Sequence, residues 1–317
     1  MKTRITELLG CRYPILQGAM AGIGTWRFAA AVASAGAYGT ITASVSRTPE
    51  RLREDIRQCR AATSGSFGVN LTFGMPRLEE MLDVCIEERV AIETAAYKPD
   101  AVADRIKASG LPWVHKAARV KDAVHAEKCG AHALIIVGLE GTGFKSPDQL
   151  TTLTTVLWAA RQIKVPLIAA GGIADARGLV AALALGAEGV MMGTAFMLTE
   201  ESPLRDEVKK AIAATPPDDA RLRRRVLGSA DPNAAAQLEK VRGTIPLEQW
   251  LGMVERVNLK DDEWRQATPA TGGVADGADP TRLASMAVAG IDGIPTVKEL
   301  VDRIVRGADE ILARLSS

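Results

Sequence analysis

The chain has 317 residues, 47% hydrophobic and 24% charged, which is enough for one large α/β barrel or two ordinary domains. Its 39 basic and 38 acidic residues leave a net charge of +1, so nothing in the charge balance indicates nucleic acid or a membrane as a partner. The sequence shows neither an apolar run of membrane-spanning length nor a secretory signal, and we expect a cytoplasmic location.

Alternating strands and helices fill the first two hundred residues. The predicted strands are mostly continuous apolar runs, as is typical of parallel strands buried on both faces: Tyr13–Gln17, Tyr38–Ala43, Phe67–Leu71, Val90–Thr94, Trp113–Lys116, Ala133–Val137, Leu167–Ala170 and Gly189–Met192. The helices predicted between them are Trp26–Ser34, Pro49–Ala61, Arg77–Glu88, Pro99–Ser109, Val120–Cys129, Thr151–Gln162 and Ala176–Leu185. Eight such repeats predict an α/β protein with the (β/α)8 TIM-barrel fold, and a doubly wound open sheet is the alternative.

The sequence after Glu200 has a different character. Its predicted segments are the helices Asp206–Ala214, Asp218–Val226, Asn233–Lys240 and Leu247–Val257, a Gly/Pro/Thr-rich stretch at Thr268–Pro280, and a last helix, Val297–Leu315. We predict a barrel core over residues 1–200, a helical lid over 201–290 and a C-terminal helix that packs back on the barrel over 291–317. The alternative for the lid is an appendage on the outside of the barrel, but a barrel active site needs something to exclude water.

Cysteine and histidine patterns indicate neither disulfides nor a metal site. The four cysteines are widely spaced and form no Cys-x-x-Cys pair, which predicts reduced thiols. His115, His125 and His132 lack the His-x-x-x-His spacing of common zinc sites, so no metal is expected.

Glycine directly follows the seventh and eighth predicted strands. Gly171 and Gly172 end the seventh, and Gly193 precedes Thr194 after the eighth. Where two neighbouring parallel strands end in this way, bare backbone N–H groups meet at one rim and can donate to a phosphate. In a TIM barrel, the loops after strands seven and eight form the usual phosphate site.

Three earlier strands end in residues suited to a flat, polar ligand. Ala19 and Met20 follow the first strand, where a planar ring could lie against the backbone; the alternative is an ordinary turn. The Asn70 carboxamide can donate and accept, as a heterocycle's imide edge requires, or it can bind neighbouring loop backbone. Burying the Lys116 side chain at the end of an apolar strand would cost free energy unless its ammonium meets an anion or a polar ligand. By strand alternation, His115 is predicted to point the other way, into the helix layer.

In this order, the motifs resemble the nitronate monooxygenase family (once called 2-nitropropane dioxygenase). Its relatives are the FMN-dependent enoyl-acyl-carrier-protein reductases and NADH:quinone reductases. The resemblance covers residues 1–201 and is carried by Gln17-Gly18-Ala19-Met20, Gly68-Val69-Asn70-Leu71, His115-Lys116, Ala169-Ala170-Gly171-Gly172-Ile173-Ala174-Asp175 and Gly193-Thr194. It implies an FMN-binding TIM barrel.

The resemblance also implies roles for individual residues. Ala19, Met20 and Asn70 would face the isoalloxazine, and Lys116 would reach the polar edge of the flavin. The phosphate would be held by Gly171, Gly172, Gly193 and Thr194, while Thr142 and Gly143 are small residues that let the backbone approach the cofactor.

One part of the family pattern is missing. Val137 stands where relatives carry an acidic residue for the ribityl hydroxyls, and Phe144 stands where they carry a histidine that acts as base or donor. A positioned acid or base typically contributes ~10²–10⁴-fold, so turnover that needs a base should be poor. Lys145 is the nearest titratable candidate for the missing catalytic group. Glu140 is a second candidate, with a loop or helix-capping carboxylate as its alternative.

Three hypotheses about function follow. The first is an FMN-dependent oxidoreductase that oxidises a small organic substrate, such as an alkyl nitronate, with O2. The second is an NAD(P)H-dependent flavin reductase of an enoyl thioester or a quinone. The third is a barrel that binds FMN or another phosphorylated ligand without turnover. We expect a small-molecule substrate and a homodimer, with no nucleic-acid or membrane partner.

Overall fold

The computed structural model describes residues 1–95, 98–142, 148–228, 237–238, 240–241, 243–245, 250, 253 and 280–317. Eight parallel strands pair in the order β1-β8-β7-β6-β5-β4-β3-β2. A parallel bridge between Leu16 and Tyr38, with Gln17 N donating to Tyr38 O over 2.9 Å, joins β1 to the start of β2. The prediction of a TIM barrel over an open sheet is therefore confirmed.

All eight strands lie where the apolar runs predicted them, within two residues at each end. They are β1 Ile15–Gln17, β2 Gly39–Thr42, β3 Phe67–Thr72, β4 Ala91–Ala95, β5 Trp113–Ala117, β6 Ala133–Val137, β7 Leu167–Ala170 and β8 Gly189–Met192. The strand β6 shows why the runs are continuous. Ala133, Ile135 and Val137 face the barrel interior, whereas Leu134 and Ile136 belong to the core between strands and helices.

The predicted helices between the strands are also present. The described helices of the first two hundred residues are α1 Arg4–Leu9, α2 Trp26–Ser34, α3 Ala43–Ser46, α4 Pro49–Ala62, α5 Leu78–Glu87, α6 Asp100–Ser109, α7 Val120–Lys128, α8 Thr152–Ala160, α9 Ala176–Ala184 and α10 Thr194–Met197. Start signals in the sequence act as expected. Thr48 caps α4 by accepting from Arg51 N over 3.2 Å, and Pro49 is the first helical residue.

The short helix α1 closes one end of the barrel. Its Ile5 and Leu9 are buried in the interior cluster with Leu16 and Tyr38. A capping box between Thr3 and Thr6 begins the helix. With this end closed by apolar side chains, the polar inward-facing residues of the strands lie towards the opposite end.

The C-terminal third adds elements on the outside and at the rim of the barrel. These are α11 Asp206–Ala213, α12 Ala220–Leu227, two 3-10 helices at Pro280–Leu283 and Met286–Gly290, and α13 Val297–Leu315. The helix α13 packs against α9 and α2, and a Cβ on Gly307 would lie 2.8 Å from Ala176 Cβ. The predicted segments 233–240, 247–257 and 268–280 lie almost entirely outside the described residues.

Some of the described residues of this third reach the rim. Leu238 and Trp250 are buried against each other, with Trp250 Nε1 donating to Leu238 O over 2.9 Å. Phe73, which follows β3, packs against the same pair. The part of the chain between the barrel and α13 therefore contacts the carboxyl end of a strand. No helix in the described part of the chain is both long and apolar enough to cross a bilayer.

Candidate active site

One cavity opens at the carboxyl ends of the strands. Eight of the residues that the sequence predicted for cofactor binding line it: Ala19, Met20, Lys116, Thr142, Gly171, Gly172, Gly193 and Thr194. Strands β1, β5, β6, β7 and β8 or the loops after them supply these residues. The other predicted positions in the loop after β6, Gly143, Phe144 and Lys145, lie outside the described residues.

The glycines after β7 have backbone angles that other residues rarely adopt. Gly171 has φ +104° and Gly172 has φ +72°, both in the left-handed region. A Cβ on Gly171 would lie 2.8 Å from Thr152 Oγ1, and one on Gly172 would lie 3.0 Å from Glu140 Cβ. Conformation and space thus both require glycine at this turn, and the backbone of the turn forms one wall of the cavity.

Gly193 shows the opposite situation. Its φ of −98° is open to any residue, and no heavy atom lies within 4 Å of the position that a Cβ would take. Because Gly193 lines the cavity, that vacant space belongs to the cavity. A missing side chain here leaves the backbone accessible to a ligand, as a phosphate approaching from the barrel axis would need.

The C-terminal segment supplies a wall of the cavity that no sequence motif indicated. Thr194 Oγ1 and Ser285 Oγ are hydrogen-bonded over 2.8 Å, and Ser285 N also donates to Thr194 Oγ1 over 3.1 Å. Thr142 Oγ1 donates to Ala284 O over 2.8 Å. These bonds hold the loops after β6 and β8 to one segment between the two 3-10 helices. Arg282, Leu283, Ser285 and Ala287 line the cavity as a result.

Asn70 lies deeper than its predicted role implies. It is 2% exposed and is absent from the cavity lining. Its Nδ2 donates to Glu93 Oε1 over 2.9 Å, while its Oδ1 accepts from Thr72 Oγ1 over 3.1 Å. The side chain thus holds a neighbouring buried carboxylate, and in this structure it does not reach the cavity surface.

Glu93 is the site residue that sequence reasoning missed. It faces the barrel interior from the middle of β4, opposite Asn70 in the strand register and 4% exposed. The sequence does contain a sign of this role. Burying a carboxylate inside the run Ala91–Ala95 costs free energy for the same reason as burying Lys116.

The charges of Glu93 and Lys116 depend on each other. Burial raises the pKa of the Glu93 carboxyl to about 7, against the lowering effects of Lys116 and the Asn70 hydrogen bond. Burial lowers the pKa of the Lys116 ammonium, and the Glu93 carboxylate opposes that change. The cavity therefore has an amine on its wall whose charged form burial disfavours and, beneath it, a carboxyl with a pKa of about 7.

His115 lies in the outer core, as strand alternation predicted. The ring is fully buried, and its Nδ1 is 2.8 Å from Thr94 Oγ1. Trp113 Nε1 donates to the same hydroxyl oxygen over 2.8 Å. The Thr94 hydroxyl proton can then point to Nδ1, so this histidine is part of the hydrogen-bonded strand–helix core.

Two residues of the altered loop after β6 are also described. Val137 is 3% exposed and lines the cavity with an aliphatic surface. Glu140 Oε2 accepts from Thr152 N over 2.7 Å and from Thr152 Oγ1 over 2.9 Å. The Glu140 carboxylate thus binds the start of α8, which is the structural alternative that the sequence left open.

The fold and the cavity define a barrel enzyme whose site lies at the carboxyl ends of its strands and combines a glycine rim with Lys116 and the buried carboxyl of Glu93. The chain belongs to the nitronate monooxygenase family: the family model described as "Nitronate monooxygenase" matches residues 2–84 and 73–307. The resemblance found from the motifs is thereby confirmed, and the chain is a flavin-dependent oxidoreductase.

Two curated relatives differ in what their names describe. A (3aS,4S,5R,7aS)-5-hydroxy-7a-methyl-1-oxo-octahydro-1H-indene-4-carboxyl-CoA dehydrogenase from Rhodococcus jostii (strain RHA1) is 31% identical, over 97% of this chain and 96% of that protein. A probable nitronate monooxygenase from Staphylococcus aureus (strain Newman) is also 31% identical, over 67% of this chain and 72% of that protein.

Solved structures have the same fold. FabK from Thermotoga maritima has a TM-score of 0.80 and 32% sequence identity, covering 100% of this chain and 99% of that one. A nitroalkane oxidase from Streptomyces ansochromogenes has a TM-score of 0.74 at 21% identity, covering 99% of this chain and 100% of that one. The second likeness concerns the fold alone.

Proposed function

We propose that the cavity binds FMN as a resident cofactor. The observation that carries this proposal is the vacant space at Gly193 beside the left-handed turn at Gly171 and Gly172, which together form a cradle for the phosphate. Lys116 on the opposite wall would meet the polar edge of the ring system, and Ala19 and Met20 would lie against its plane. When bound, the flavin supplies the electron-transfer chemistry.

The first candidate reaction is oxidation of an alkyl nitronate with O2. The family match supports it, and so do the positions of the barrel residues. With Phe144 in place of the family histidine, the chain lacks the expected base. A nitronate enters as an anion that needs no proton removed, and an anion beside Lys116 on the cavity wall would favour the charged form of that amine.

Supplying the missing base should separate two substrates. We expect Phe144→His to raise the aerobic rate with neutral nitropropane by ~10²-fold or more, because the nitroalkane needs proton removal, and to change the rate with propyl-nitronate little. The measurement is oxygen uptake by the purified, flavin-loaded enzyme. A variant with no gain on nitropropane would contradict the assignment of Phe144 to the base position, with Phe144→Leu as the matched control.

The second candidate is an NAD(P)H-dependent flavin reductase of an enoyl thioester. Its specific support is the full-length match to a CoA-thioester dehydrogenase, which exceeds the coverage of the nitronate monooxygenase match. A second observation agrees with it. Arg282 lines the cavity, and α12, with four arginines among its eight residues, contacts both 3-10 helices beside it. Such a cationic rim suits the phosphates of a carrier thioester.

The phosphates of the carrier give this candidate its test. We expect KM for an enoyl-CoA to be about tenfold or more below KM for the matching N-acetylcysteamine thioester. Added salt should reduce this difference in KM, because it screens the attraction between the arginines and the phosphates. Arg224→Gln on α12 should raise KM for the CoA substrate only, while the exposed Arg314→Gln at the end of α13 serves as control. Anaerobic mixing with NADH or NADPH should bleach the flavin. If neither nucleotide bleaches it, the reductase hypothesis is contradicted.

The third hypothesis, a barrel without turnover, is set aside. Its motivation was the missing acid and base at Val137 and Phe144. The relatives and the family match establish the chain as an oxidoreductase.

A further inference from the structure

A cluster of three different ligand types lies on the outer helical layer, away from the cavity. Asp100 is the first residue of α6, and His125 and Cys129 lie one turn apart at the end of α7. His125 Nε2 is 2.8 Å from Asp100 Oδ1 and 3.5 Å from Cys129 Sγ. The three donor atoms all lie within 4.8 Å of one another.

The geometry does not fit a catalytic relay. In a Cys–His–Asp triad, the carboxylate binds one ring nitrogen while the thiol uses the other, so that the imidazole can pass a proton between them. Here both Asp100 and Cys129 contact the same nitrogen, Nε2 of His125. A carboxylate, a thiol and an imidazole whose ligand atoms all lie within 4.8 Å of one another are close enough for one metal ion to contact all three.

The nitrogen–sulfur distance is close to that of tetrahedral zinc coordination. Zn–N bonds of about 2.0 Å and Zn–S bonds of about 2.3 Å place the nitrogen and sulfur ligands about 3.6 Å apart in a tetrahedron. The His125 Nε2 to Cys129 Sγ distance is 3.5 Å. The carboxylate needs to move only about 0.5 Å away from Nε2 to reach the corresponding N–O separation. It is 59% exposed and free to make that movement.

We propose that Asp100, His125 and Cys129 bind a divalent transition metal, with Zn²⁺ as the natural occupant and water as the fourth ligand. A thiolate and an imidazole select zinc over the hard cations that prefer oxygen ligands. The half-exposed setting of all three side chains lets the ion and a water enter from solvent. Because Asp100 is on α6 and the other two ligands are on α7, the bound ion cross-links two helices of the barrel's outer layer.

This proposal replaces the expectation from sequence that no metal binds. That expectation rested on the absence of a histidine pair at helical spacing. The spacing His125-x-x-x-Cys129 places an imidazole and a thiol on one face of α7, which is the same geometry with a different second ligand. The third ligand comes from another helix, 25 residues earlier, and only the fold shows that it is close.

Cobalt substitution provides the decisive test. The flavin-loaded full chain is stripped of metal with chelator, and Co²⁺ is titrated while difference spectra are recorded against the metal-free protein. We expect one equivalent to produce a thiolate-to-cobalt charge-transfer band and the intense d–d bands of tetrahedral cobalt. Zn²⁺ should displace the cobalt and raise the unfolding temperature, since an ion that binds only the folded state stabilises it.

Single substitutions identify which side chains bind the metal. We expect Cys129→Ser to abolish the charge-transfer band and to weaken zinc binding by more than about a hundredfold. Mutating a residue that only hydrogen-bonds to a metal ligand already lowers metal affinity by about 10–100-fold, and loss of a ligand itself should cost more. Cys11→Ala is the matched cysteine control, and Asp104→Asn, one turn along α6 from Asp100, is the matched charge control. Absence of the band in the wild type, or equal losses from Asp104→Asn and Asp100→Asn, would overturn the proposal. Flavin content and turnover should be unchanged in Cys129→Ser, so the outcome is independent of the proposed function.

Discussion

Gly193→Val should yield a folded protein that no longer retains its flavin. The backbone at this position has φ −98°, which valine accepts, and no atom lies within 4 Å of the new Cβ, so the barrel itself has no reason to unfold. The added side chain would instead fill the space that a phosphate needs to reach the backbone. We expect FMN affinity to fall at least about tenfold, a cost of 1.4 kcal/mol or more. Flavin absorbance per protein after gel filtration is the measurement.

Gly293→Val is the matched control for that experiment. Gly293 also has open space around its Cβ and an ordinary φ, but it lies outside the cavity wall. It should retain flavin like the wild type, and both variants should keep their far-UV circular dichroism. Full retention of flavin in Gly193→Val would show that the phosphate does not lie at the rim after β8. In that case the cofactor assignment to this cavity would have to be given up.

The barrel could be predicted from sequence because its determinants are local. Each strand is an apolar run long enough to be buried on both faces, and each glycine that ends one is visible as a residue type. Gly171, Gly172 and Gly193 could be connected to each other because the fold places the ends of β7 and β8 side by side. Seven of the eight cavity residues follow from their places at the ends of predicted strands, whereas Thr142 follows only from the family resemblance.

The parts that sequence reasoning missed depend on contacts between distant segments. The sequence places Asn70 at the end of a buried strand but does not show that its carboxamide binds Glu93. The register that sets it beside Glu93 follows from how β3 and β4 pair, which no local pattern reveals. Ser285 and Arg282 reach the rim from about ninety residues beyond β8, in a segment without a motif. Their position depends on side-chain bonds such as the one from Ser285 to Thr194.

Glu93 should make the protein less stable as pH rises towards neutrality. Its carboxyl has a pKa of about 7 in the fold, against 4.5 ordinarily, because burial penalises the charged form. Between these values, the folded protein holds a proton that the unfolded chain releases. The stabilisation is therefore complete below about pH 4.5 and lost as pH rises through about 7. The full loss corresponds to about 3 kcal/mol, at 1.36 kcal/mol for each pH step.

Glu93→Gln removes this dependence while keeping the bond from Asn70, since the amide oxygen of glutamine can still accept it. We expect the difference in unfolding free energy between variant and wild type to shift by about 3 kcal/mol in favour of the variant from pH 4.5 to 8. Urea denaturation at a series of pH values measures it. Titrating groups away from Glu93 cancel in the difference, whereas Lys116 does not, because the Glu93 carboxylate opposes the lowering of its pKa. Glu207→Gln on the exposed face of α11 is the matched control.

The substitution Lys116→Met tests whether Lys116 affects the pKa of Glu93. The Lys116 ammonium lowers the pKa of Glu93, so its removal should raise that pKa further and extend the unstable range to higher pH. Because burial lowers the pKa of the Lys116 ammonium, methionine also removes a burial cost, and near pH 5 the variant should be at least as stable as the wild type. Towards pH 9 the variant carries the Glu93 carboxylate without a neighbouring ammonium, so its stability relative to the wild type should fall. A stability difference that is the same at both pH values would show that Lys116 and Glu93 do not interact.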